Sequence, residues 1–484
     1  MKTTDMRNQA IAQMLKLVVV YALTGLSFPL QAGIPAQEGG TAGGERHAVR
    51  LDRENRPITA GGLDQDAPII FEDISSSTGL DRFRHQAGYP EKRYIIGTKS
   101  GGAALLDYDR DGWLDVYLLS GSPFEALFGR QPHGVSRLFR NNRDGTFTDV
   151  TEKSGVPNRQ WAFGVVAADF DRDGWVDLYV SNYGTNRLYH NNHDGTFTDV
   201  AEEAGVALSE YMTTGASFGD YNHDGLLDLF VCGYAEFDPK SPPRPGVDIP
   251  VNYCRFRGQP VMCGPRGLTG TRDFLFENNG DGTFTERAEA AGVNDKPGYY
   301  GFSPVWVDVN DDGWVDLVVA NDSTPNYLYI NRQDGTFEDI SYISGFALNQ
   351  DGRSQAGMGL AVGDYNLDGR VDFCVAHFSD DYNTLYENQG DDFFIDVTYE
   401  VGLGDEAIPF VSWGIAFLDY DNDGYQDLFY SNGHVYPSVD RFKWGTSWAQ
   451  RPLLFRNLQG KRFQVVPAAP GSGLAVTVTG RGAA

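Results

Sequence analysis

Short apolar and aromatic runs recur along the chain, each cut off by a tight polar turn. Thirteen-residue copies of one pattern begin at Leu138 (LFRNNRDGTFTDV), Leu188 (LYHNNHDGTFTDV), Leu275 (LFENNGDGTFTER) and Leu328 (LYINRQDGTFEDI), with weaker copies at Leu385 and Leu454. In the strong copies two strand-like runs flank Asp-Gly, a pair that tolerates the positive φ of tight hairpin turns, so the pattern predicts β-hairpins. A second pattern alternates with the first. The nine-residue D-x-[DN]-x-D-G-x-x-D occurs six times, starting at Asp107, Asp169, Asp220, Asp308, Asp364 and Asp419. Each copy runs into another strand-like stretch, as in VYLLS after Asp115, LYVSN after Asp177 and LVVAN after Asp316.

Two hairpins per unit make four strands. Repeated four-strand units of roughly 40–50 residues predict an all-β fold, a β-propeller with one unit per blade. The interval from Asp220 to Asp308 is the longest, and residues 235–270 within it read as an insertion on one face, rich in Pro and carrying Cys254 and Cys263. The final GRGAA resembles the run that precedes an acidic loop. FEDISSSTGL from Phe71 resembles the second half of a hairpin. These two fragments predict a seven-bladed type with the last blade incomplete; the alternative is a six-bladed ring with a tail.

The acidic spacing suits a hard cation. Calcium takes six to eight oxygen ligands. Positions 1, 3, 5 and 9 supply side-chain oxygens and position 7 a backbone carbonyl. The predicted ligands are Asp107, Asp109, Asp111, Trp113 and Asp115; Asp169, Asp171, Asp173, Trp175 and Asp177; and Asp220, Asn222, Asp224, Leu226 and Asp228. The second half of the chain adds Asp308, Asn310, Asp312, Trp314 and Asp316; Asp364, Asn366, Asp368, Arg370 and Asp372; and Asp419, Asp421, Asp423, Tyr425 and Asp427. Position 7 varies freely, as a ligand that offers only its carbonyl would. Position 6 is Gly in every copy. An EF-hand needs Glu at position 12 and flanking helices; here position 12 falls within predicted strands. About six calcium ions with a structural role are expected.

Composition narrows the function. With 66 acidic and 39 basic residues, the formal charge of −27 argues against nucleic-acid binding. A 41% hydrophobic and 13% aromatic content is enough to build a core. Lys2, Arg7 and Lys16 precede or open an apolar stretch, Leu15 to Leu30, followed by the small Ala32. Residues 1–32 therefore read as an export signal, the alternative being an uncleaved membrane anchor. Residues 33–65 read as a flexible linker and 66–484 as the propeller. Export permits disulfides, and Cys254 with Cys263 is the candidate pair; Cys232 and Cys374 sit on predicted strands and read as buried thiols.

At these residues the chain resembles the FG-GAP (VCBS-type) repeats of integrin α-subunit propellers. More closely, it resembles bacterial relatives of the cartilage acidic protein family, over about residues 66–484. The pairing of NNxDGTFTDV with DYDxDGxxD carries that resemblance, as does CRFRGQPVMCGPRGL from Cys254. It implies a seven-bladed, secreted, calcium-binding propeller. Members usually continue into a C-terminal ASPIC/UnbV module, which this chain does not show.

No enzyme constellation stands out. GASFG from Gly215 spells a nucleophile-elbow pattern and GMGLAVG from Gly357 a glycine-rich one, but both occupy the repeat slot before an acidic loop and lack a following helix. His377 and His434 follow predicted strands and read as structural. The expected function is an extracellular binding or adhesion module for protein or glycan, acting as a monomer. The alternative is an enzyme acting on extracellular polysaccharide, which would call for carboxylate, His and Arg side chains clustered at the central channel.

Overall fold

The computed structural model describes residues 49–484. The predicted export signal and the first part of the linker lie outside the described residues. Six four-stranded antiparallel sheets follow one another. The first contains β1 (Ala103–Leu106), β2 (Asp115–Leu118), β3 (Arg137–Asn141) and β4 (Phe147–Asp149), paired in chain order. The other blades span 161–199, 213–286, 301–339, 360–396 and 412–465. First strands of successive blades pack on one another, which places them around the axis. Second strands such as Asp228–Gly233 and Asp316–Asn321 are buried along their whole length, because blades cover both of their faces. Their apolar character follows from that double burial.

Blades also interlock through rings. The aromatic residue at position 2 of an acidic loop meets the Phe that opens the next blade's fourth strand: Tyr108 with Phe197, Phe170 with Phe284, Tyr221 with Phe337 and Tyr365 with Phe463, at centroid distances of 5.9, 5.9, 5.8 and 5.7 Å. Each such pair contributes about 0.5–1.5 kcal/mol beyond its buried area.

The seven-blade expectation is corrected: six four-stranded blades form among the described residues. Between the sixth and the first lie the two fragments that suggested a seventh. Phe71 meets Tyr420 of the sixth blade at 6.5 Å, in the role that a DGTF Phe plays elsewhere. Near the other end of the chain, Gly480 N–H donates to Asn432 O at 2.9 Å and Gly414 N–H donates to Arg481 O at 2.8 Å. Arg481 Nε donates to Thr98 O, ahead of the first blade, at 2.8 Å. The fragments bond to their flanking blades, and half a hairpin plus one extended run contains too few strands for a four-stranded sheet.

The linker expectation also changes within the described residues. Thr59 is fully buried, and its carbonyl accepts Arg451 N–H at 2.8 Å. Leu63 packs beside Leu454 and Leu474. The apolar side chains scattered through that Gly-rich run anchor it to the sixth blade.

Antiparallel meandering sorts the connections. Loops between first and second strands, and turns between third and fourth, emerge on one face, so the acidic loops and DGTF turns share a rim. Connections between second and third strands, including the insertion in the third blade, emerge on the opposite face together with the links between blades.

Close approach between blades demands glycine at Gly345. Its φ is +86°, and a Cβ there would sit 2.5 Å from Phe394 O. Gly352, at φ +70°, has open space around it. Gly345→Ala is expected to lower unfolding stability by about 2–3 kcal/mol and Gly352→Ala by about 1 kcal/mol, read from denaturant midpoints. Equal costs would show that the blades do not abut at Gly345.

Candidate metal centres and the axial cluster

Each acidic loop is organised by its own carboxylates. Asp107 Oδ1 accepts Asp111 N–H and its Oδ2 accepts Gly112 N–H, both at 2.9 Å. The same bonds recur at Asp169, Asp364 and Asp419. The position-5 carboxylate accepts the position-7 N–H, as from Trp175 to Asp173 at 2.8 Å. The position-6 glycines have φ between +84° and +90°, which accounts for Gly in every copy.

The ninth-position aspartates are fully buried. Asp177 Oδ2 accepts Phe170 N–H at 3.3 Å, and its Oδ1 accepts Asn191 N–H from the third strand at 2.7 Å. Asp115, Asp228, Asp316, Asp372 and Asp427 repeat the arrangement. Burial, reinforced by repulsion from the other loop carboxylates, pushes Asp115 up to about 6, Asp177 to about 8, and Asp228, Asp316 and Asp372 to about 7. Asp427 moves in the same direction.

Three loops draw three carboxylates to within 4.8 Å of one another: Asp107, Asp109 and Asp115; Asp169, Asp171 and Asp177; Asp419, Asp421 and Asp427. Each group could hold a metal ion. Asn222, Asn310 and Asn366 take the third position in the other loops. The position-5 side chains are not part of these triads, though Asp173 joins Asp171 and His190 in a fourth such group. Asp111 pairs with Arg143 at 2.7 Å, Asp423 with Arg456 at 3.2 Å, and Asp173 with His193. These partners come from the following hairpin. Asp109 Oδ1, Asp220 Oδ1 and Asp421 Oδ1 are buried and accept no hydrogen bond, so they are free to face a cation. All-oxygen donors around such atoms suit a hard divalent ion.

Sequence reasoning missed the asparagine that ends each third strand. Asn191 Nδ2 donates at 3.2 Å to Val176 O in its own loop and at 2.9 Å to Tyr108 O in the preceding blade. Asn278, Asn331, Asn388 and Asn457 likewise reach the preceding blade, at 2.8–2.9 Å. Asn141, in the first blade, donates to Leu114 O of its own blade. Its presence in all six hairpin copies, weak ones included, was the available signal.

A sequence profile described as "FG-GAP-like repeat" matches residues 107–180, 169–231, 266–319, 308–375 and 364–430, stretches that run from loop to loop. The chain belongs to the FG-GAP-like repeat family. It is similar to cartilage acidic protein 1 of Homo sapiens, 24% identical over 413 residues, covering 74% of this chain and 58% of that protein. Its similarity to the Mus musculus protein is 25% over 401 residues, covering 76% and 52%. The chain spans little more than half the length of these relatives. Among solved structures, an Agrocybe aegerita lectin that recognises non-reducing terminal N-acetylglucosamine is similar at a TM-score of 0.40 and 15% identity, over 78% of this chain and 82% of that one.

In this FG-GAP propeller a second group of charges lies near the axis, at the end opposite the loops. Lys99 and Asp322 form an ion pair with side chains only 6% and 5% exposed. Tyr234 OH donates to Asp322 Oδ2 at 2.8 Å. His377 and His434 are buried nearby, His434 accepting Tyr436 N–H at 3.0 Å. The insertion covers this end. Its hairpin Arg255–Phe256 and Gln259–Pro260 is closed by a Cys254–Cys263 disulfide. Phe256 packs on Phe378 and Trp444, and Arg257 Nε donates to Asp380 at 2.7 Å. The cavity beside Lys99 and Asp322 is about 20 Å³, room for about one water. Ser217 of GASFG lies within the strand Thr213–Gly219, which leads into an acidic loop rather than a helix.

Burial holds His377 and His434 near 3, Arg257 and Arg481 adding repulsion at His434. Their folded pKa values lie below the unfolded one, so the neutral rings favour the folded state at neutral pH. That contribution is lost as pH falls from about 6.5 toward 3. His434→Gln is expected to flatten the decline of unfolding free energy between pH 6 and 4.5 by about 1 kcal/mol per pH unit. The check is urea titration of wild type and variant at fixed calcium; superimposable slopes would mean that His434 protonates in the folded state.

Proposed function

We propose that this chain is an exported calcium-binding propeller that serves as an extracellular binding or adhesion module for protein or glycan, acting as a monomer. The observation that carries the reading is the loop geometry: six copies of one carboxylate network, each built on a buried ninth-position aspartate, with buried oxygens left unbonded in three of them. Calcium would bind at the six loops through the aspartates and asparagines at positions 1, 3, 5 and 9 and the position-7 carbonyl. It would neutralise carboxylates that otherwise repel and would stiffen the rim. Export is supported by the charged and apolar pattern of the first residues and by the matched relatives, whose name refers to cartilage and to acidity. The formal charge of −27 agrees with that second word. No helix among the described residues is long and apolar enough to cross a membrane.

Carboxylate, histidine and arginine side chains do gather at the axis, as the enzymatic alternative requires. Their enclosure under the insertion leaves no room for a sugar ring, which weighs for binding over catalysis.

Calcium is expected to raise the melting temperature of the chelator-treated chain, with equilibrium dialysis approaching six ions per chain. A site at 100-fold excess over its Kd contributes about 2.7 kcal/mol. A cooperative melt in chelator that calcium leaves unchanged would overturn the metal assignment.

A further inference from the structure

A cavity of about 600 Å³ opens on the face opposite the acidic loops. Three separate segments wall it: residues 90–95 ahead of the first blade, the insertion of the third blade, and the connection at 436–441 in the sixth. Its size falls within the range of small-ligand sites. Tyr94, Phe237 and Tyr436 give it aromatic surface, Tyr94 and Phe237 lying 5.9 Å apart as part of a packed ring cluster. Such a wall is rigid and presents flat apolar faces.

Charge at this cavity runs against that of the chain. Lys92, Arg93 and Arg441 line it, with Glu91 as the one carboxylate; Lys92 Nζ donates to Ala87 O at 2.6 Å, which leaves the two guanidinium groups as the open cations. Arg93 and Glu91 form an exposed pair at 3.6 Å, which holds neither tightly. Arg441 has no carboxylate partner among the described residues. A net-positive pocket on a chain of formal charge −27 concentrates anions at one place. Guanidinium groups suit carboxylates in particular, through paired N–H donors.

The backbone of the pocket decides between ligand classes. Pro90, Pro243, Pro245, Pro260 and Pro437 all line it. Proline has no N–H, so these five positions offer an extended peptide none of the donors that a sheet edge would, which weighs against a peptide ligand. Rings of apolar CH groups bearing carboxylates meet both the aromatic walls and the cationic mouth.

We propose that this pocket binds a carboxylated sugar, the uronate units of an acidic polysaccharide. The inference rests on the reading of the chain as a binding module and gives its ligand class and face. Calcium at the rim could also attract such sugars, so the test must separate the two faces.

The experiment is calorimetric titration of the calcium-loaded chain with tetragalacturonate, and with its methyl ester, which keeps the rings and removes the charges. Tetragalacturonate is expected to bind at least tenfold more tightly than the ester. The double variant Arg93→Gln, Arg441→Gln is expected to lose at least tenfold in affinity while keeping the wild-type melting temperature and its calcium response. An Arg143→Gln variant, which removes a rim cation that is not a metal ligand, should bind as the wild type does. Equal binding of the ester, an unchanged affinity in the double variant, or equal binding of tetraglutamate would each overturn the proposal. Absence of tetragalacturonate binding with calcium stabilisation intact would overturn the pocket assignment alone. Absence of calcium stabilisation with tetragalacturonate still bound would overturn the metal reading alone.

Discussion

The aspartate that closes each acidic loop is sunk to near-zero exposure at the start of a second strand, where one oxygen holds the loop and the other holds the third strand. That placement couples the acidic loop to the blade. An ionised carboxylate in such a position is costly without opposing charge or hydrogen bonds. Two backbone N–H groups supply part of the compensation, and a cation among the converging carboxylates would supply the rest. The neighbouring asparagine extends the coupling sideways by donating to the preceding blade's loop. Loop, strand and adjacent blade therefore share one hydrogen-bonded junction, repeated around the rim.

Uniformity on that rim contrasts with variety on the opposite face. Loops and DGTF turns repeat nearly unchanged, because every copy meets the same geometric demand. Connections on the other face meet no common demand. They range from the short 184–186 turn to the disulfide-closed insertion that spreads across the axis to the fifth and sixth blades. The sequence is free to diversify there without disturbing the junctions that hold the blades.

The seam between the last and first blades shows how far local pattern carries. Phe71 fills the ring position of a missing turn, and the run around Gly480 and Arg481 lies beside the innermost strand of the sixth blade. Both fragments satisfy contacts that any next blade would satisfy. They do so without becoming a sheet, since neither carries enough strand partners.

Periodicity alone determined the strands, the hairpins, the four-strand unit and the acidic loops, because each is fixed by residues close together in the chain: Asp-Gly at a turn, Gly at position 6, carboxylates spaced for one cation. The fold type follows from repetition of that unit. Tertiary structure alone decided the blade count, because closure depends on whether distant fragments find partners. It also decided which outside groups reach the loops: in three loops the position-3 and position-5 aspartates both meet an arginine or histidine from the next hairpin, a pairing invisible within nine residues. The inter-blade asparagines were present in every copy, yet their acceptors lie in another blade. The pocket of Lys92, Tyr94, Phe237 and Arg441 joins three segments far apart in sequence. No local spacing encodes it; only the meander, by sending those connections to the same face, brings them together.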